Sequence, residues 1–221
     1  MGHFVSIRRN GALAETPTVW VFLAVLAPAA VFLAALRLQP WVPAADLVRD
    51  GVVASVGSLL WIGTASICLF TALVIHAAQA DRSRSLFLLA AGLVTLWLGL
   101  DHVFMVHKEL LPSFGIPRTV AEATYAAIGA LYLLISGRLI LSNRPSLLLA
   151  AALFLGASLG FDGLLPEAAD RPFAEEGLTF LAIAFWAGFH VAAAARAIEE
   201  LATGRITTVT MSPERLTRKP A

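Results

Sequence analysis

The sequence predicts an all-α fold: a polytopic transmembrane bundle of six helices, with the N-terminus and C-terminus cytoplasmic. Three observations predict it. Hydrophobic residues make up 58% of the chain and charged residues only 14%, where a soluble domain carries roughly 25% charged residues. The apolar residues gather into six stretches separated by short polar gaps, each close to the ~20 residues that cross a bilayer. The charges are also sorted by side. When successive gaps alternate across the membrane, the N-terminal arm, residues 77–85, residues 137–145 and the segment from Arg196 hold 11 of the 16 Lys+Arg and 5 of the 15 Asp+Glu. The opposite side holds the other 5 basic and 10 acidic residues, so the two sides carry +6 and −5. Lys and Arg are retained on the cytoplasmic face, which puts the first set inside a bacterial inner membrane. Residues 1–17 then form a cytoplasmic arm, 18–197 the transmembrane domain and 198–221 a basic cytoplasmic tail.

The first helix is expected over Thr18–Leu38. Arg8 and Arg9 precede it as in a signal peptide, but the apolar run to Leu36 is too long for a secretory h-region. No small-x-small cleavage site follows. Pro28 in its middle predicts a kink, because proline removes a donor and crowds the preceding turn. The outer loop Gln39–Asp50 holds Pro40, Pro43 and an interfacial Trp41. The second helix, Gly51–His76, carries Ser55, Gly57, Ser58, Gly63, Thr64 and Ser66. Small residues permit close helix approach in lipid, so this helix is expected inside the bundle. It also contains Cys68, the single cysteine, which excludes an intramolecular disulfide and reads as packing.

An inner loop over Ala77–Ser85 leads to a third helix from Leu86 through Asp101 to Leu110. Pro112 and Pro117 mark the next outer loop. The fourth helix, Val120–Leu141, ends at an inner turn of Asn143, Arg144 and Pro145. The fifth runs from Ser146 to Leu164, and a loop over Leu165–Phe173 leads to a sixth from Ala174 to Ala197. Glu199 and Glu200 fall beyond it.

The acids of the outer side call for their own explanation, since they carry little topological information. Glu122, Glu175 and Glu176 open helices, where a negative charge suits the positive dipole end. Asp101 and Asp162 lie toward helix C-terminal ends, where the dipole opposes a carboxylate and lipid disfavours it. On a continuous third helix, Asp101, His102, Lys108 and Glu109 share a broad face and His107 points away.

Two chemistries fit this set. Asp101, His102, Asp162 and one of Glu175 or Glu176 could ligate Zn²⁺, Mn²⁺ or Fe, with Asp101, His102 and Asp162 as catalytic groups. The same residues could form steps of an ion or proton pathway. The inner-leaflet histidines His76 and His190 suggest axial haem ligation on depth alone, and a structural role is the stronger reading.

The string Leu98-Gly99-Leu100-Asp101-His102-Val103-Phe104-Met105-Val106-His107-Lys108-Glu109, followed by Leu111-Pro112 and Gly115-Ile116-Pro117, resembles a segment of uncharacterised bacterial multi-spanning proteins. Those carry a Leu-Asp-Asp-x-Phe-x-x-His-Glu pattern. Here His102 stands for the second acid, and Lys108 separates His107 from Glu109. Phe161-Asp162, Glu175-Glu176-Gly177 and Phe185-Trp186 are similar too, so the resemblance covers the second half of the chain. It implies a membrane bundle of about six helices and no particular activity.

The functional expectation is an integral membrane protein with an outward-facing acidic and histidine pocket, a metal-dependent enzyme on a lipid-like substrate. A small ion-coupled transporter and a non-catalytic membrane subunit are the alternatives. Membrane lipids are the expected partners, and no nucleic acid.

Overall fold

Helix accounts for all the regular structure among the described residues, which in this computed structural model are 18–38, 51–143, 145–164 and 171–204. In chain order the long helices are α1 (Thr18–Leu38), α2 (Val52–Ala77), α3 (Arg82–Phe104), α4 (Arg118–Ser142), α5 (Pro145–Leu164) and α6 (Arg171–Ala202). Between α3 and α4 lie a π-helical turn, Val106–Leu110, and a single α-turn, Leu111–Ser113. Among the described residues, five helices are long and apolar enough to cross a membrane: α1, α2, α3, α4 and α6. The chain is thus a membrane protein. The expected sixth span corresponds to α5, whose described apolar part is the shorter Pro145–Ser158.

Helix α6 is the centre of the bundle. It packs against α1, α2, α3 and α5, and α2 pairs most extensively with α3. The sequence pointed to α2 as the internal helix. Small residues do bring α2 close to its neighbour, but the decisive glycines sit on α3. A Cβ at Gly92 would stand 2.7 Å from Leu69, and one at Gly99 would stand 2.8 Å from Trp61. Glycine at these two positions, seven residues apart, lets the helix backbones approach. The packed interior includes Cys68, Ile75, Leu88, Leu147, Phe185 and Phe189, all essentially without exposure. By contrast, α4 rests on α3 and touches α5 only thinly. Their facing residues Leu133 and Leu155 stay about half exposed, at 50% and 48%.

One end of the bundle is tied by surface polar contacts. Arg84 pairs with Asp81 at 3.2 Å and with Glu200. Arg196 donates to Asn143 Oδ1 at 3.1 Å and to the Ser142 carbonyl at 3.4 Å. The α2–α3 connection, the α4–α5 turn and the C-terminal part of α6 therefore meet, and they are segments that the charge alternation assigned to one side.

Besides the end of α3, at Phe104 rather than Leu110, two boundaries move by more than three residues. Helix α3 begins at Arg82 rather than Leu86, because Asp81 caps it: its Oδ1 accepts from the amides of Ser83 (2.9 Å) and Arg84 (3.2 Å), satisfying donors a helix start leaves open. Helix α6 continues past Ala197 to Ala202, so Glu199 and Glu200 are helical, and the Arg84–Glu200 pair ties this extension to α3. The expectations for the N-terminal arm, the Gln39–Asp50 loop with Trp41, Glu167, Asp170 and the tail from Arg205 lie outside the described residues.

Candidate functional site: a cavity between α3, α4, α5 and α6

Asp101 sits in the last turn of α3 and is buried. A carboxylate there needs donors, because burial without them costs several kcal/mol or more. It receives three. Its Oδ1 accepts from the His107 amide at 2.9 Å and from Tyr125 Oη at 2.8 Å; its Oδ2 meets His107 Nδ1 at 2.6 Å. Tyr125, on α4, is held between rings, stacked on Trp97 (centroids 6.0 Å apart) and edge-on to His107 (5.7 Å).

The backbone makes this cluster possible. On an unbroken helix, residues six apart point to different faces, and His107 would turn away from Asp101. The helix is broken at Met105, which adopts the left-handed conformation (φ 47°, ψ 42°). The π-helical turn Val106–Leu110 starts immediately after it. The chain folds back, and His107 presents both its amide and its ring to Asp101. This corrects the expectation that the third helix runs on to Leu110 with His107 on the far side. Left-handed non-glycine residues and π-turns concentrate at functional sites.

Beside the cluster lies a mostly apolar cavity of about 400 Å³. Asp101, His102, His107 and Glu176 line it at one end; Leu133 of α4 and Leu155 of α5 form part of its wall. Those two leucines are half exposed and α4 and α5 touch only thinly, so this wall of the cavity is loosely packed. His102 Nε2 is buried with no hydrogen-bond partner. It lies next to α2, about 3.4 Å from where a Cβ on Gly57 would stand.

A second polar group borders the same cavity. Tyr132 Oη is 2.8 Å from His190 Nε2, and His190 Nδ1 is 2.9 Å from the Trp186 carbonyl. Trp186 Nε1 donates to Thr95 Oγ1 at 2.9 Å. A carbonyl only accepts, so His190 carries its proton on Nδ1. A neutral ring then offers a lone pair at Nε2, and Tyr132 donates to it. Both ring nitrogens of His190 are thus engaged within the protein, and His76 is exposed at the end of α2.

Of the expected site residues, Asp101, His102 and Glu176 do line one cavity. Glu175 enters the hydrogen-bond network through its backbone, its carbonyl accepting from Ser158 Oγ at 3.1 Å. The Asp162 backbone belongs to the last turn of α5, but its side chain, like that of Glu122, lies outside the described residues. Among the described residues no three His, Cys, Asp or Glu side chains gather as a metal site. The expected metal set of Asp101, His102, Asp162, Glu175 and Glu176 is therefore not assembled by its described members. Asp101 turns instead to His107 and Tyr125.

Tyr125 and Tyr132 are the residues that sequence reasoning missed; His107 was placed on the wrong face, and His190 was read as structural or, on depth alone, as a haem ligand. One signal was available. The chain has only two tyrosines, seven residues apart on α4 and hence on one face; each bonds one of the two polar groups.

These features define a class: a membrane-spanning helical bundle with a mostly apolar internal cavity and an Asp–His–Tyr cluster at one end of it. A domain of unknown function, DUF8692, matches residues 19–193. The chain belongs to that family. No curated protein and no solved structure matches it.

Proposed function

We propose that the protein is an inner-membrane enzyme that takes a lipid-like molecule into the α3–α6 cavity and acts on its polar end with the Asp101–His107 pair. One observation carries this reading: an apolar cavity of about 400 Å³ with an oriented Asp–His pair at one end. Apolar pockets with a few convergent polar groups are the usual form of a small-molecule site. The thinly packed α4–α5 wall is the route by which an apolar chain would enter without crossing water.

Asp101 holds the His107 ring through Nδ1, which leaves Nε2 as the nitrogen available to a ligand. That is the arrangement of an oriented general base. Tyr125 and the His107 amide keep the Asp101 carboxylate in place. Retention of Lys and Arg inside supports a cytoplasmic position for the Arg84–Arg196 end. The Asp101 end then faces the periplasm, and both termini are cytoplasmic.

The test is lipid extraction from protein purified in mild detergent, followed by turnover of the bound species in proteoliposomes. The wild type should retain a bound amphiphile. Gly129→Leu should expel it, because Gly129 lines the cavity and a Cβ there meets nothing within 4 Å. His107→Ala should keep the amphiphile and lose about 10²-fold or more in turnover, the usual contribution of a general base. Equal retention by wild type and Gly129→Leu would overturn the binding site; unchanged turnover in His107→Ala would overturn the base.

A further inference from the structure

The hydrogen-bond directions around the cavity specify the chemistry of the head group, granted that the cavity is the binding site proposed above. His107 gives its Nδ1 proton to Asp101, so a neutral ring offers a lone pair at Nε2. Tyr132 gives its proton to His190, because His190 has its own proton on the Trp186 carbonyl. Thr179 is 2.7 Å from Ser158 Oγ, and the Ser158 proton goes to the Glu175 carbonyl; Thr179 must therefore donate to Ser158. Glu176 adds a carboxylate to the lining. Four lining residues thus turn lone pairs, not protons, toward a ligand. Trp186 has its N–H on Thr95. Trp61, through its indole, and His102, whose Nε2 has no partner, are the lining residues whose N–H has no assigned acceptor among the described residues.

Charge points the same way. Asp101 and Glu176 line the cavity, and no Lys or Arg does among the described residues. A phosphate or sulfate head would meet carboxylates without the guanidinium or ammonium partners such groups use. Trp61, Tyr132 and Trp186 lie in the wall, and Trp186 is 5.9 Å from Trp61 and 6.0 Å from Tyr132 between ring centroids. An aromatic face attracts a cation placed within about 6 Å of its centroid and offers nothing to an anion. We infer that the ligand is an amphiphile whose head is a primary ammonium. It has three N–H donors for the lone pairs and one positive charge for Glu176.

The test compares four ligands of equal chain length: an alkylamine, an alkyltrimethylammonium, an alkyl alcohol and an alkyl phosphate. Binding is read from the fluorescence of a variant carrying Trp20, Trp41 and Trp97 as Phe, which leaves Trp61 and Trp186 as reporters. The amine should bind about tenfold or more tightly than the alcohol, as one charge-assisted hydrogen bond implies, and the phosphate weakest. The trimethylammonium, charged but without N–H donors, should fall between amine and alcohol. Glu176→Gln should erase most of the amine's advantage and leave alcohol binding unchanged. Equal binding of amine and alcohol, or preference for the phosphate, overturns the ammonium assignment while the cavity remains a lipid site. If none of the four binds saturably, the cavity itself is not a binding site, and the reading beneath this inference fails with it.

Discussion

The two histidine groups beside the cavity are built in opposite ways. His190 sits on an unbroken helix, and its Nδ1 reaches the carbonyl four residues back, a partner that any regular helix supplies. Its other partner, Tyr132, comes from a second regular helix. His107 reaches a side chain six residues back, which no regular helix permits, and it does so only because Met105 is left-handed. The first group is what two packed helices give without distortion. The second needs a local distortion, and that distortion turns a histidine toward a carboxylate at one end of the cavity. Structure that departs from local rules in this way is where function is most often found.

If that contrast is right, breaking the two groups has unequal consequences. Asp101→Ala removes the acceptor of three donors at once: the His107 amide, its ring and the Tyr125 hydroxyl. Loss of a buried hydrogen-bonded charge typically costs about 3–5 kcal/mol, and the π-turn loses its anchor as well. Thermal unfolding in detergent should show a large drop that Tyr125→Phe does not recover, since two of the three donors remain. Full recovery in the double variant would mean that His107 does not depend on Asp101.

His190→Leu should cost less. It strands one donor, the Tyr132 hydroxyl, at about 1–3 kcal/mol for an unsatisfied buried group. Here Tyr132→Phe should restore most of the stability, because it removes the only group left without a partner. A double-mutant cycle reads the difference directly. If the two substitutions are additive, the Tyr132–His190 bond contributes nothing to stability.

The fold was legible in the sequence because the constraints that fix it are local. Span lengths, prolines and small residues placed α1 at Thr18–Leu38 as observed and the other helices within a few residues, apart from α3 and α6. The errors come from side-chain bonds, one local and one across elements. Asp81 capping moved the start of α3, and Glu200 pairing with Arg84 accompanies the lengthened α6. At the site, an acid placed against the helix dipole singled out Asp101, which lines the cavity. Periodicity then assigned His107 to the wrong face, since a phase argument holds only while the helix continues. Nothing in Phe104-Met105-Val106 announces a break; methionine and valine carry no turn chemistry. The break follows from the tertiary demand of a buried carboxylate for donors.

That demand makes Met105 the most direct test of the contrast, though with the smallest effect. A left-handed L-residue costs roughly 1–2 kcal/mol, and glycine escapes this cost. Met105 is 48% exposed, so its side chain gives up little packing when removed. Against the gain stands the greater freedom of glycine in the unfolded chain, about 0.4–1 kcal/mol. The balance predicts that Met105→Gly is neutral to stabilising by about 1 kcal/mol, an outcome opposite to the usual effect of glycine inside a helix. Met105→Val should destabilise by a similar amount, because a β-branched residue is least tolerant of positive φ. Unfolding midpoints of the two variants against the wild type measure both signs. If glycine is costly and valine harmless, residue 105 is helical. His107 then points away from Asp101, and the acid–base pair beneath the proposed chemistry does not exist.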